Sequence, residues 1–337
     1  MARVLLLFGG RSAEHEVSCV SAVSVADALA EGGHRVIPVG IDRSGDWFLA
    51  DAGERPLRAE GRRVTLSLPG GSLVSGEDEV GFDVAFPVLH GPYGEDGRIQ
   101  GAFDMAGVPY VGCGVLGSAV AMDKDVAKRL ARDAGIATTR WQTVRHADLR
   151  DDAPAVVDEV AGLLGFPVFV KPAELGSSIG VAKASTDAEL KDALLRAFEL
   201  SDKALVEETV TGREIEVGVL EGPRASAPGE IVIEAEWYDY EAKYNDDASR
   251  FVAPARLTRS QVATVQQLAC RAFEALECRG LARVDFFFEK PGRGFILNEV
   301  NTMPGFTPIS GFPLMWQASG MSYPELCNEL VELALGG

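Results

Sequence analysis

The chain has 337 residues, 47% of them hydrophobic and 24% charged, with a formal net charge of −18 at pH 7. That length suits two or three domains with large cores. The acidic balance argues against nucleic acid or an anionic membrane as the main partner.

Met1 runs straight into a strand-like stretch, leaving no room for a signal peptide, and no apolar run approaches bilayer length. The five cysteines (Cys19, Cys113, Cys270, Cys278, Cys327) are dispersed without a C-x-x-C pair. They read as reduced core thiols of a cytoplasmic protein, against a disulfide framework or a zinc site.

Arg3–Phe8 has the pattern of a buried strand and ends at Gly9–Gly10. Arg11-Ser12-Ala13-Glu14-His15-Glu16 follows, and Val17, Val20, Val23 and Ala28 then recur at roughly helical spacing up to Gly32–Gly33. Strand, glycine turn and helix open a doubly wound α/β sheet. The turn lacks the G-x-G-x-x-G spacing of a dinucleotide site. It still lies where open α/β sheets bind ligands, and Glu16 there suits either a substrate ammonium or a plain acid in a first helical turn. Val36–Ile41 and Val84–Leu89 read as further strands. Between them Arg55–Gly81, with the short run Val64–Leu68, reads as a polar, Gly-rich excursion. His90-Gly91-Pro92-Tyr93-Gly94-Glu95-Asp96-Gly97 is a second glycine-dense strand-end loop, whose His90 suits a ligand donor or a structural role. Tyr110–Val111 is a further short strand.

A domain boundary is expected just before Met122-Asp123-Lys124, where an amphipathic helix begins and runs to about Ala134. Asp158–Leu164 and Glu189–Leu200 are helical. Pro167–Lys171 and Val181–Ala184 are strands flanking Gly176-Ser177-Ser178-Ile179-Gly180. This is no Walker loop, but a Gly-Ser hairpin can fold backbone N–H groups over phosphates, with Lys124 and Lys171 as cations. Ala204–Glu207 is a strand ending in Glu207-Glu208-Thr209-Val210, which suits an adenine edge, with Glu214 placed for ribose hydroxyls. Trp237–Pro254 carries tyrosines among charges and fits no period, so it reads as a functional loop or lid. Gln261–Leu276 is a helix, and Ser322-Tyr323-Pro324-Glu325 caps a last one to about Leu335.

Arg283–Asn301 reads as two apolar strands joined at Lys290–Gly294. Alternation puts Arg283 and Asp285 on one face, with Glu299 and Asn301 opposite them. Two carboxylates, an amide oxygen and a guanidinium on one patch suit Mg²⁺ or Mn²⁺ and suit zinc poorly. The other reading is an exposed hairpin face, which the flanking phenylalanines disfavour.

Five stretches together resemble the D-alanine–D-alanine ligases of the ATP-grasp superfamily. They are Gly9–Ser18, His90–Gly97, Lys171-Pro172 with Gly176-Ser177-Ser178, Glu241-Ala242-Lys243-Tyr244, and Asn298–Gly305. The resemblance implies a three-domain ATP-grasp α/β fold with an N-terminal doubly wound parallel-sheet domain. Its expected bounds are 1–121 for the substrate-binding domain, 122–211 for a small central lobe and 212–337 for the C-terminal lobe. It implies that ATP phosphorylates one D-alanine, which a second D-alanine attacks, for peptidoglycan precursor synthesis. Asp285, Glu299 and Asn301 would hold two Mg²⁺ ions, with Mn²⁺ as a substitute. Arg283 and the Gly305 N–H would stabilise the oxyanion. Glu16 would take the first ammonium, linked through Ser177 to Tyr244, with His90 nearby and Ser310 on the second carboxylate. Lys124, Lys171, Ser177, Glu207, Glu208, Val210, Glu214, Lys243 and Asn298 would bind ATP. Tyr244 favours the dipeptide over D-alanyl-D-lactate, since depsipeptide ligases typically carry Phe there. The rivals are such a depsipeptide ligase, or a non-catalytic ATP-binding module on the same fold. A homodimer is also expected.

Overall fold

The structure is a computed structural model that describes residues 1–233 and 249–336. Its first part runs β1 (Arg3–Gly9), α1 (His15–Glu31), β2 (Arg35–Ile41), β3 (Trp47–Leu49), β4 (Arg62–Leu66), β5 (Ser72–Ser75), β6 (Asp78–Gly81), β7 (Val84–Pro87), α2 (Arg98–Ala106) and α3 (Val115–Met122). The middle part comprises α4 (Lys124–Asp133), β8 (Trp141–Arg145), α5 (His146–Asp151), α6 (Ala153–Leu164), β9 (Val168–Pro172), β10 (Ala182–Ala184), α7 (Asp187–Phe198) and β11 (Lys203–Glu208). The last part holds β12 (Arg213–Leu220), β13 (Arg224–Ala225), β14 (Gly229–Ile233), β15 (Ser249–Val252), α8 (Arg259–Ala275), β16 (Leu281–Glu289), β17 (Gly294–Asn301), α9 (Gly311–Ala318) and α10 (Tyr323–Ala334).

These elements form three sheets. The first has the order β6-β5-β4-β3-β2-β1-β7, with β1 parallel to both β2 and β7. Helices cover both faces of that parallel part, as its continuously apolar strands require. The excursion after Arg55 is not a plain loop: β4, β5 and β6 extend the sheet as antiparallel strands. They are short and mostly polar, so little hydrophobic alternation marked them in sequence. The second sheet has the order β10-β9-β11-β8, and the third is built on β15-β14-β12-β16-β17.

The cores cross the expected domain bounds. Phe306, Phe312, Trp316, Leu326, Cys327 and Val331 pack in one cluster with Val4, Leu6 and Phe8 of β1 and Val25 and Leu29 of α1. The end of the chain thus covers one face of the first sheet. Ala127 and Ala131 of α4, with Ile136, join the core under β12, β16 and β17. By packing, α4 belongs with the third sheet, although it follows the expected boundary into the middle part. The second sheet's core draws only on residues between Val144 and Val206. No described helix is long and apolar enough to cross a membrane.

Candidate active site

The β16–β17 hairpin has the expected pairing. Arg283 lies opposite Asn301 and Asp285 opposite Glu299. Beyond that point the register shifts, so that Phe286 faces Leu297 and Asn298 is left over as a bulge. A bulge re-aims side chains that strict alternation would send to opposite faces. Asn298 and Glu299 consequently both line one cavity, while Phe286, Phe295 and Leu297 stay in the core.

Arg283 sits at the centre of the charged patch. Its Nε and Nη2 donate to the two oxygens of Asp285 at 2.8 and 2.7 Å, and Glu216 of β12 is 3.3 Å away. Burial opposes its charge, but Asp285 and Glu216 outweigh that and hold the guanidinium firmly protonated. Asn301 Oδ1 accepts from the Met303 N–H at 3.0 Å, which turns the chain into the loop carrying Gly305. Among the described residues no group of three His, Cys, Asp or Glu side chains gathers as a metal site. The candidate donors are two carboxylates and one amide oxygen, a hard set that fits a hard divalent cation.

Two cavities meet at this patch. A small polar one of about 80 Å³ is lined by Glu14, His90, Ser177, Arg283, Asn301 and Gly305. A larger one of about 420 Å³ lies between the second and third sheets, lined by Lys171, Glu207, Val210, Glu214 and Asn298 among others. Lys124 and Glu299 line both. The Lys124 ammonium donates to the Leu175 carbonyl, which ties α4 to the Gly-Ser loop. Lys171 Nζ reaches Glu207 Oε2 at 3.0 Å and Asn298 Oδ1 at 3.2 Å. Burial works against the Glu207 charge, but Lys128 and Lys171 overcome it and bring its carboxyl down to about 2. Glu207 Oε1 is buried without a hydrogen-bond partner among the described residues. A carboxylate and two lysines along one cavity fit a nucleotide whose base has an N–H donor and whose tail is anionic.

Glu16 does not reach either cavity. Its side chain is 77% exposed and pairs with Arg43 at 3.1 Å on the surface. Glu14 takes the position instead: it is buried, and it accepts a hydrogen bond from the Ser177 hydroxyl of the Gly-Ser loop. The reason is helix phase. The valine spacing suggested a buried face through Val20, but Val20 is exposed. The buried face runs through the small residues Ser18, Ser21, Ala22 and Val25, and Glu14 continues that row one turn back. Ser18 accepts from the Gly9 N–H at 2.7 Å and donates to the Val88 carbonyl, so the small face presses α1 onto the strand ends. Reading Ser and Ala as a packing face would have found Glu14.

His90 is buried, with Nδ1 2.9 Å from the Met303 carbonyl and 3.7 Å from Glu95 Oε1. Burial opposes its protonation, yet Glu95 and Glu14 raise it above the ordinary histidine value. The Ser310 hydroxyl accepts from the Thr307 N–H at 3.1 Å and stands beside Gly305 at the start of α9. The Glu208 carboxylate is taken by Arg140 at 2.8 Å and Arg293 at 2.5 Å, because alternation along β11 sends it away from Glu207. Only its backbone is left for a nucleotide. Lys243 and Tyr244 lie outside the described residues. Glu14, Glu95, Glu216 and Lys128 are site neighbours that the sequence reading did not single out.

Residues 3–113 match the family described as D-ala D-ala ligase N-terminus, and residues 130–332 match D-ala D-ala ligase C-terminus. The D-alanine–D-alanine ligase of Geobacillus kaustophilus is 43% identical over 347 residues, covering 99% of this chain and 94% of its own. The solved structure of the D-alanine-D-alanine ligase from Coxiella burnetii superposes with a TM-score of 0.87 at 33% identity, covering 99% of this chain and 94% of that one. The VanG D-Ala:D-Ser ligase of Enterococcus faecalis superposes at 0.86 with 34% identity, over 98% of this chain and 99% of that one. With both family regions matched, and the fold and sequence aligned over nearly the whole length, the chain belongs to the D-alanine–D-alanine ligase family.

Proposed function

We propose that this chain ligates two D-alanines to D-alanyl-D-alanine with conversion of ATP to ADP and phosphate, supplying peptidoglycan precursors in the cytoplasm. The observation that carries the reading is the junction of the two cavities at Lys124 and Glu299, with Arg283 beside it. A γ-phosphoryl group in the larger cavity and a carboxylate in the smaller one would meet there.

Glu14 holds the ammonium of the first D-alanine, and Ser177 fixes the Glu14 carboxylate from the Gly-Ser loop. The carboxylate of that D-alanine attacks the γ-phosphorus and becomes an acylphosphate, with ADP leaving. The amine of the second D-alanine, its carboxylate held by Ser310, attacks the acyl carbon. Arg283 and the Gly305 N–H stabilise the tetrahedral oxyanion, whose collapse forms the peptide bond and releases phosphate. Lys124 and Lys171 bind phosphate oxygens, Glu207 the adenine amine, and Glu214 the ribose. Asp285, Glu299 and Asn301 would hold two Mg²⁺ or Mn²⁺ ions, which would supply charge neutralisation to the phosphates. Exclusion of water protects the acylphosphate, a task the family resemblance gives to the stretch with Lys243 and Tyr244.

The test is coupled ADP release with ATP, Mg²⁺ and D-alanine, the product identified by mass, alongside L-alanine, D-serine and D-lactate. D-alanyl-D-alanine as the main product supports the reading. A D-lactate depsipeptide or a D-serine dipeptide as the main product would reassign the acceptor, and ATP binding with no ADP release would reduce the chain to a binding module. The expected homodimer is a separate proposal, tested by mass in solution.

A further inference from the structure

Lys128 follows Lys124 by one helical turn on α4, so both ammonium groups leave the same helix face. The side chains of Lys128 and Glu207 are each 2% exposed. An ammonium group only donates, and Lys128 Nζ donates to Thr139 Oγ1 at 2.6 Å. The hydroxyl of Thr139 therefore turns its own proton to Glu207 Oε2, 3.2 Å away. The Lys128 ammonium also pairs with Glu207 Oε1 at 3.3 Å. Lys171 is the second cation on Glu207, but it is shared with Asn298 and is more exposed, at 14%. Arriving phosphate oxygens compete with Glu207 for the protons of Lys171. Lys128 and Thr139 lie beneath the carboxylate and are shielded from that competition.

We propose that Lys128, acting through Thr139, is a positioning residue that fixes the orientation of the Glu207 carboxylate as it accepts the exocyclic amine of adenine, making this buried pair a determinant of base selectivity. The inference rests on the assignment of Glu207 to adenine in the proposed function. Phosphate contacts are common to every nucleoside triphosphate, so selectivity has to come from the base end of the cavity. A carboxylate free to rotate, or satisfied only by a lysine that phosphates can draw away, would discriminate poorly.

The experiment compares ADP with inosine diphosphate, which has an oxygen in place of the exocyclic amine, by titration calorimetry on the intact protein. Lys128→Met keeps the apolar stem and removes the charge, while Thr139→Val keeps the shape and removes the relay. Both should weaken ADP by about tenfold, the scale of one buried hydrogen bond to a charged group, and leave inosine diphosphate within about twofold. Thr139→Ser should restore the wild-type preference. Equal weakening of both nucleotides, or none, overturns the proposal. Glu207→Gln separates the two layers of the argument. If it leaves the preference for ADP intact, the adenine assignment itself falls; if it abolishes the preference while the Thr139 and Lys128 variants keep it, only the positioning role falls. Should Lys128→Met fail to fold, the Thr139 pair decides alone.

Discussion

The hydroxyl of Ser177 donates to the carboxylate of Glu14 from 163 residues away, closing the Gly-Ser loop of the second sheet onto the first helix of the chain. Both residues line the smaller cavity beside Arg283. One hydrogen bond thus connects the lobe that covers the phosphates with the acid proposed for the first substrate.

Glu14→Gln should lower kcat/KM for D-alanine on the order of 100-fold, the scale for removing one partner of a buried charge pair. Glu16→Gln, on the exposed Arg43 pair, should stay within about twofold. Steady-state kinetics on the two variants checks the contrast. A reversed order would restore Glu16 to the site.

Glu299→Gln should raise the Mg²⁺ concentration for half-maximal activity by about tenfold or more, because an amide is a weaker ligand for a hard cation. Mn²⁺ titration in the presence of ADP, followed by electron paramagnetic resonance, reads the same change without turnover. An unchanged metal requirement would move the ions elsewhere.

Tyr323 on α10 donates its hydroxyl to the Phe306 carbonyl at 2.6 Å, bracing the loop that carries Gly305 and Ser310. Tyr323→Phe removes about 1 kcal/mol of hydrogen bonding, which should appear as a several-fold higher KM for the acceptor D-alanine and an unchanged KM for ATP. A rise in both constants together would point to general loosening.

His90 gives a prediction in pH. Its folded-state value is raised above the ordinary 6.5, with Glu95 and Glu14 overcoming burial. The charged form therefore stabilises the fold fully below about pH 6.5 and loses that contribution as pH rises through the folded value. Denaturant unfolding from pH 6 to 9 should show declining stability in the wild type and a flatter profile in His90→Gln. Parallel profiles would mean that folding leaves the proton affinity of His90 unchanged.

The hairpin that carries the charged patch was legible because its polar positions alternate while phenylalanines fill the others, and alternation is a local property of the strand. The bulge at Asn298 was not, since an extra residue changes no composition and shows itself only against a partner strand. Glu14 was missed for a related reason. A helix face that presses serine and alanine against strand ends gives no hydrophobic signal, whereas the exposed Val20 gives a false one. The burial of Lys128 depended on a carboxylate 79 positions further on, Glu207, and no spacing within α4 reveals it. The family resemblance supplied the order of the motifs, but within Glu14-His15-Glu16 it pointed to Glu16, which helix phase sends to the surface.

The interlocked cores carry a consequence for substrate traffic. Because α9 and α10 are built into the core of the first sheet, and Cys113 and Ala121 join α4 in that of the third, the first and third sheets share buried surface. The second sheet shares no core cluster with the other two among the described residues. Apart from Leu175, Gly176 and Ser177 of the Gly-Ser loop, the described lining of the smaller cavity therefore comes from one joined frame. Among the described parts the second sheet is the one that could move as a shutter, and raising it would break Ser177 from Glu14 and widen the larger cavity in one movement. With D-alanine and nucleotide in these two cavities as proposed, entry of one and exchange of the other would be mechanically joined, and a cross-link between the first and second sheets should halt both at once.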